Sequence, residues 1–107
     1  MARQALTLLK QGIRINAILP GPTDTPLARA NADVWLGFGS DYRAEAGIEA
    51  STAEEQAGPL VFLCSDAARY VNGEVMIVDA GYTSSGMTGS YESAVAAVGF
   101  MEGTVLS

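Results

Sequence analysis

The sequence predicts an α/β fold: a single βαβ unit with flanking helices. Three observations carry this. Ile13–Leu19 (IRINAIL) and Glu74–Val78 (EVMIV) read as short apolar strands, and Ser51–Cys64 between them is the best-marked helix. Strand, helix and strand in that order imply parallel strands and a right-handed crossover. At 107 residues the chain holds one domain at most.

Ala2–Lys10 has the pattern of a helix end. Ala5, Leu8 and Leu9 share one face, Lys10 suits the negative end of the helix dipole, and Gly12 can supply a left-handed cap. In Ile13–Leu19 apolar residues alternate with Arg14 and Asn16, while Ile18 makes the second face partly apolar, as in a sheet covered on both sides. Pro20 ends the strand because it cannot donate to a ladder. Pro20 to Pro26 (PGPTDTP) is then a loop stiffened by three prolines, with Gly21 free to take a positive φ or to let a ligand approach. A stiff loop at the carboxyl end of a parallel strand is where α/β folds bind ligands. The alternative is a plain connector with solvent-facing hydroxyls.

Leu27–Ile48 is predicted as broken helical pieces, one starting at Pro26 and another over Asp41–Ala46 with Asp41 as its cap. Such pieces suit a flap over a pocket; an ordinary long surface loop would instead tuck Trp35 into the core. Ser51–Cys64 offers a capping box in either register, Ser51 with Glu54 or Thr52 with Glu55. Ala57, Leu60, Val61 and Cys64 form its apolar stripe, and Pro59 predicts a kink or a local irregularity. Val71-Asn72-Gly73 is a turn into the second strand. Tyr82–Ser107 is a tail with several Gly, Ser and Thr residues. Its apolar run, Ala94–Phe100, folds back over a pocket, packs on another subunit, or frays.

Composition removes several function classes. Twelve acidic against six basic residues give a net charge of −6, and the arginines are scattered, so no nucleic-acid surface is expected. Without histidine there is no His-based acid/base chemistry, and no metal site is expected. Cys64 cannot form an internal disulfide and is expected to be a buried, inert thiol. The longest apolar run is too short to span a bilayer and no signal peptide is recognisable, so no membrane partner and a cytoplasmic location are expected.

Three segments together resemble the C-terminal portion of short-chain dehydrogenases/reductases. They are Gly12–Ala17 running into Pro20–Pro26, then Thr52–Glu55 followed by Leu60–Ala68, then Val71–Glu74 leading into Val78–Gly81. The resemblance covers Ala2 to Tyr82. It implies that residues 1–82 are the C-terminal part of a Rossmann-type parallel sheet and that 83–107 are a C-terminal tail. It also implies NAD or NADP as cofactor and hydride transfer between the nicotinamide and the carbon of a small-molecule alcohol or ketone. The cofactor-binding residues it implies are Pro20, Gly21, Pro22, Thr23 and Thr25. The backbone of Thr23 would meet the nicotinamide carboxamide, and the Thr25 hydroxyl would bond the carboxamide or a neighbouring phosphate. Pro20 and Gly21 would shape the approach, and Asn16 would hold loops in place. PGPTDTPL and the tail look most like members acting on hydroxysteroids or on aryl and allylic alcohols.

The family's catalytic serine, tyrosine and lysine have no counterpart here, so no catalytic residue is assigned. Lys10 is the sole lysine, and Leu6 stands where a tyrosine four residues before it would be. The Gly-rich turn that seats a pyrophosphate is also missing; Gly37-Phe38-Gly39 follows no strand. Met1 therefore looks like an internal start, or the chain a cut piece, and the chain alone is expected to be inactive. Its bare strand edge predicts marginal stability or association, and a homo-oligomer is expected of the full-length protein. The other reading is a non-catalytic binding or oligomerisation module that kept the βαβ unit.

Overall fold

The computed structural model describes residues 1–95. The predicted helix end is a 3₁₀ turn, Ala2–Gln4, that runs into α1, Ala5–Leu9. Gly12, at φ +77, closes it: the Gly12 and Ile13 amides reach back to the carbonyls of Leu9 and Leu8, each at 2.9 Å. Ala5 and Leu8 are half-buried, whereas Leu9 is exposed.

Two strands follow, β1 (Ala17–Pro20) and β2 (Val75–Val78), and they pair in parallel from Ala17 opposite Val75 to Pro20 opposite Val78. The βαβ unit is therefore present. β1 starts at Ala17 rather than Ile13, because side chains interrupt the ladder before it, although the Ile15 carbonyl still accepts from the Gly73 amide at 2.8 Å. The Ile15 amide donates to Asn72 Oδ1 at 3.0 Å, and Asn16 accepts from the Glu74 amide at 2.9 Å. Arg14 donates to the carbonyls of Val71 and Leu63 at 3.0 and 2.9 Å. Asn16 also donates to the Val71 carbonyl at 3.0 Å, so it fixes the turn into β2 from both sides. Pro20 is the last strand residue, where a missing donor costs least.

Between the strands lie α2 (Pro26–Ala30), α3 (Ala32–Trp35), α4 (Ser40–Ala46), α5 (Ala53–Cys64) and a 3₁₀ turn, Asp66–Ala68. Pro26 opens α2, as its position predicts. The cap of α4 is Gly39 in the left-handed conformation, not Asp41. Asp41 lies in the first turn, where its carboxylate takes the amide of Tyr42 at 2.9 Å.

α5 rests against β1. Its capping box uses the second register: Thr52 Oγ1 accepts from the Glu55 amide at 3.1 Å, and Glu55 accepts from the Thr52 amide at 2.8 Å. The helix is continuous through Pro59. Gly58 explains this, because a residue before proline is pushed out of the α region by its Cβ, and glycine has none. The inward face of α5 also differs from the expected stripe. Gln56 and Leu63 are buried and Pro59 is half-buried, while Ala57, Leu60, Val61 and Cys64 are exposed. Cys64 is thus not the buried thiol the sequence predicts. Apolar residues surround α5 on most sides, so periodicity could not choose the face.

After β2 the chain forms α6, Tyr82–Met87, which the sequence did not announce. The apolar run at Ala94–Phe100 falls beyond the described residues after Val95; Ala94 itself is fully buried. Among the described residues the buried apolar side chains are Ala28, Leu63, Ala68 and Ala94, and only Leu63 is large. Leu6, Leu60, Val61 and Phe62 stand exposed. Among the described residues no helix is long and apolar enough to cross a membrane.

The bonds to the Thr52 amide and hydroxyl hold the Glu55 carboxyl below its ordinary value. A depressed folded value means that the box contributes fully above the ordinary glutamate range and fades as pH falls through the lower folded value. Thr52→Ala is expected to cost ~1 kcal/mol at neutral pH. Glu55→Gln is expected to flatten the acid limb of the thermal midpoint below about pH 5. A pH profile unchanged by Glu55→Gln would contradict this assignment.

Candidate functional site

The loop after β1 is held on two sides. The Gly21 amide donates to the Val78 carbonyl at 2.9 Å, extending the ladder by one bond. Thr23 bridges in parallel to Ser51 through the Ser51 amide on the Pro22 carbonyl (3.0 Å) and the Asp24 amide on the Ser51 carbonyl (2.7 Å). In a parallel bridge the flanking residues make both bonds, so the N–H and C=O of Thr23 face away from Ser51. The Thr23 hydroxyl donates to the Gly21 carbonyl at 2.9 Å. Thr25 caps α2, its Oγ1 accepting from the Ala28 amide at 3.1 Å. A hydroxyl that accepts keeps its own proton to donate.

Gly21 is needed for a reason internal to the chain. A Cβ there would lie 2.9 Å from Asp79 Cβ and 3.0 Å from Asp79 Cα. The close approach that glycine permits is thus made by the end of β2. Asp24, the loop's carboxylate, turns outward to pair with Arg29 at 2.6 Å. The hydrogen bond from Arg29 holds its carboxyl below the ordinary aspartate value.

Pro20, Gly21, Pro22, Thr23 and Thr25 all line one cleft of about 530 Å³. Its far wall is apolar: Leu27 from α2, Val34 and Trp35 from α3, and Phe38 from the α3–α4 link. Trp35 is 58% exposed, so it faces the cleft rather than the core. The flap reading of Leu27–Ile48 fits this arrangement. Sequence reasoning missed Asp79, Tyr82 and Thr83, which close the cleft from the β2 side. Asp79 accepts from the Gly81 amide (3.0 Å), the Thr83 amide (2.9 Å) and the Thr83 hydroxyl (2.6 Å), and Thr83 is only 1% exposed. The signal available in the sequence was an aspartate at a strand end ahead of Gly81, an arrangement that favours a side-chain-capped turn. Burial, then the charges of Asp41 and Asp79, push the Tyr82 phenol above its ordinary value, so it stays protonated.

A second cleft of about 660 Å³ lies on the other side of Phe38 and Tyr82, towards Arg43, Glu49 and Gln56. None of Thr23, Thr25 and Trp35 reaches it.

A sequence model for the family described as enoyl-(acyl carrier protein) reductase matches residues 1–83. The chain belongs to the short-chain dehydrogenase/reductase family. It is 39% identical over 85 residues to cis-4-hydroxycyclohexanecarboxylate dehydrogenase of Sinomonas cyclohexanicum, a match covering 75% of this chain and 31% of that protein. Among solved structures it is similar to a short chain dehydrogenase from Bacillus anthracis, with 37% identity, a TM-score of 0.51, and coverage of 75% of this chain and 29% of the other. It is also similar to L-sorbose reductase from Gluconobacter frateurii complexed with NADPH and L-sorbose, with 32% identity, a TM-score of 0.55, and coverage of 73% and 34%. The chain thus spans about a third of the length of these dehydrogenases and reductases.

Two glycines separate packing from propensity. Gly21→Ala is expected to lower stability by ~1–3 kcal/mol, since the strand ends must part. Gly58→Ala puts its Cβ in open space inside α5; a helix-propensity gain of ~0.5–1 kcal/mol is opposed by crowding of that Cβ against Pro59, and a net change of less than ~1 kcal/mol is expected. Denaturant midpoints compare the two. Equal effects of the same sign would refute the contact between Gly21 and Asp79.

Proposed function

We propose that this chain is the nicotinamide-positioning part of an NAD(P)-dependent oxidoreductase acting on an alcohol or ketone carbon. The observation that carries the reading is that Pro20, Gly21, Pro22, Thr23 and Thr25 line one cleft opposite an apolar wall. When bound there, the nicotinamide ring would supply the hydride acceptor or donor. The Thr25 hydroxyl, whose oxygen already accepts from the Ala28 amide, would donate its proton to a carboxamide oxygen, and the backbone of Thr23 would meet the other side of the same amide. A neutral amide, with one donor and one acceptor side, is fixed by such a pair. Pro20 and Pro22 hold the loop rigid, so little entropy is lost on binding. Leu27, Val34, Trp35 and Phe38 would give the bound ring an apolar wall on one side.

The apolar and aromatic wall supports a ring-bearing substrate of the aryl-alcohol or steroid kind. Similarity to a dehydrogenase named for cis-4-hydroxycyclohexanecarboxylate is in keeping with a cyclic alcohol. Nothing in this chain takes up the alcohol proton: it lacks the Tyr-x-x-x-Lys pair, and its one lysine, Lys10, stands after α1 with no tyrosine near it in sequence. The exposed Leu60, Val61 and Phe62 on α5 support association with further copies in the full-length enzyme.

The chain alone is expected to give no alcohol-dependent NADH or NADPH; measurable turnover would sink the reading. Combined with a segment bearing Tyr-x-x-x-Lys and a Gly-rich turn, it is expected to turn over. In that assembly Thr25→Val is expected to raise the KM for the nucleotide up to ~10-fold, the worth of one hydrogen bond. Thr25→Ser is expected to leave it within about twofold, since the hydroxyl remains. Equal effects of the two substitutions would remove Thr25 from the site.

A further inference from the structure

The flap that carries Trp35 and Phe38 is fastened from one direction. Among the described residues no backbone hydrogen bond joins residues 32–47 to either strand. Arg43 binds the flap to itself, donating to the carbonyls of Leu36 and Phe38, so α3 and α4 behave as one piece. What fastens this piece to the sheet is the segment after β2. The Tyr42 hydroxyl donates to the Ala80 carbonyl at 2.8 Å, and the Tyr91 hydroxyl donates to Asp41 Oδ2 at 3.0 Å.

The rings continue the same attachment. Phe38 meets Tyr82 edge-on with centroids 5.3 Å apart, Tyr82 meets Tyr42 at 5.4 Å, and Tyr42 meets Tyr91 at 5.3 Å. Edge-to-face pairs at this spacing are attractive beyond their buried area. Tyr42, on the flap, is thereby held between two rings of the following segment. That segment is anchored in turn. Ala80 keeps a left-handed φ of +55, unfavourable for a residue with a Cβ, while Asp79 holds the amides of Gly81 and Thr83. Burial and the neighbouring Asp41 raise the Tyr91 phenol above its ordinary value, so it stays a donor.

We infer that residues 79–91 act as a strap, with Tyr42 and Tyr91 as the positioning residues that keep the flap closed over the cleft. The strap controls access to the cleft through these two hydroxyls and the ring contacts. Its release would lift Trp35 and Phe38 away from the loop after β1. This device goes beyond the nucleotide reading and holds whatever the cleft receives.

The test uses the full chain and its single tryptophan, Trp35, which sits on the flap. Tyr42→Phe and Tyr91→Phe each remove one hydroxyl and keep the ring. Each is expected to speed amide exchange in α4 about fivefold, the scale of one lost hydrogen bond. Each is also expected to raise acrylamide quenching of Trp35, with exchange at Leu19 and Ile77 unchanged. Tyr70→Phe, at a side chain 99% exposed, is expected to change neither readout. Unchanged flap exchange in both variants would overturn the strap. Flap and strand amides accelerating by the same factor would overturn it too, because the tyrosines would then support the whole fold rather than the flap.

Discussion

The Val78 carbonyl is the point on which the described structure depends. It accepts the Gly21 amide at 2.9 Å and the Gln56 side-chain amide at 3.0 Å, so one atom ties β1, β2 and α5 together. Gln56 Nε2 also bonds Ser51 Oγ, and Ser51 in turn pins the loop at Pro22 and Asp24. A polar side chain placed between helix and sheet is costly unless it is hydrogen-bonded; both bonds of Gln56 are made by Nε2, and its Oε1 has no partner among the described residues. Here the donors tie α5 to the strand ends beside the cleft. Gly21 makes this possible, because any Cβ would force the two strand ends apart.

Much of this frame can be read from the sequence. The two strands, the PGPTDTP loop, the capped start of α5 and the helical flap all come from local chemistry: β-formers, prolines, a Thr-x-x-Glu box. What local chemistry leaves out is where side chains replace backbone partners. Asn16, Asn72 and Arg14 take over the hydrogen bonding that would have extended β1, and nothing in an alternating IRIN pattern shows it. The inward face of α5 was misread for a related reason. An apolar stripe at 57, 60, 61 and 64 looks like a core face, yet the buried positions are Gln56 and Leu63. A helix apolar on both sides does not reveal which side meets the sheet when the contact is made by a glutamine.

All five cleft residues expected from the sequence lie on one side of the cleft, because they are consecutive or nearly so. The other side is assembled from residues far apart in the chain: Trp35 and Phe38 on the flap, Asp79, Tyr82 and Thr83 after β2. Thr23 and Thr25 acquire sharper roles. Their hydroxyl oxygens already serve the fold, one by donating to Gly21 and one by capping α2, so what is left for a ligand is the backbone of Thr23 and the proton of Thr25. The loop is therefore a structural joint and, on the proposed reading, a positioning surface as well. Tyr42 and Tyr91 extend this logic to the opposite wall, where side-chain hydroxyls hold a flap that, among the described residues, no backbone hydrogen bond joins to either strand.

The central claim is that the chain receives the nicotinamide end of a dinucleotide and not its adenosine end. Amide chemical shifts recorded during separate titrations with nicotinamide mononucleotide and adenosine monophosphate test it most directly. The account predicts that the first moves the amides of Thr23, Thr25 and Leu27 and the Trp35 indole, while the second leaves them in place. Shifts at these positions with adenosine monophosphate, or none with nicotinamide mononucleotide, would contradict it.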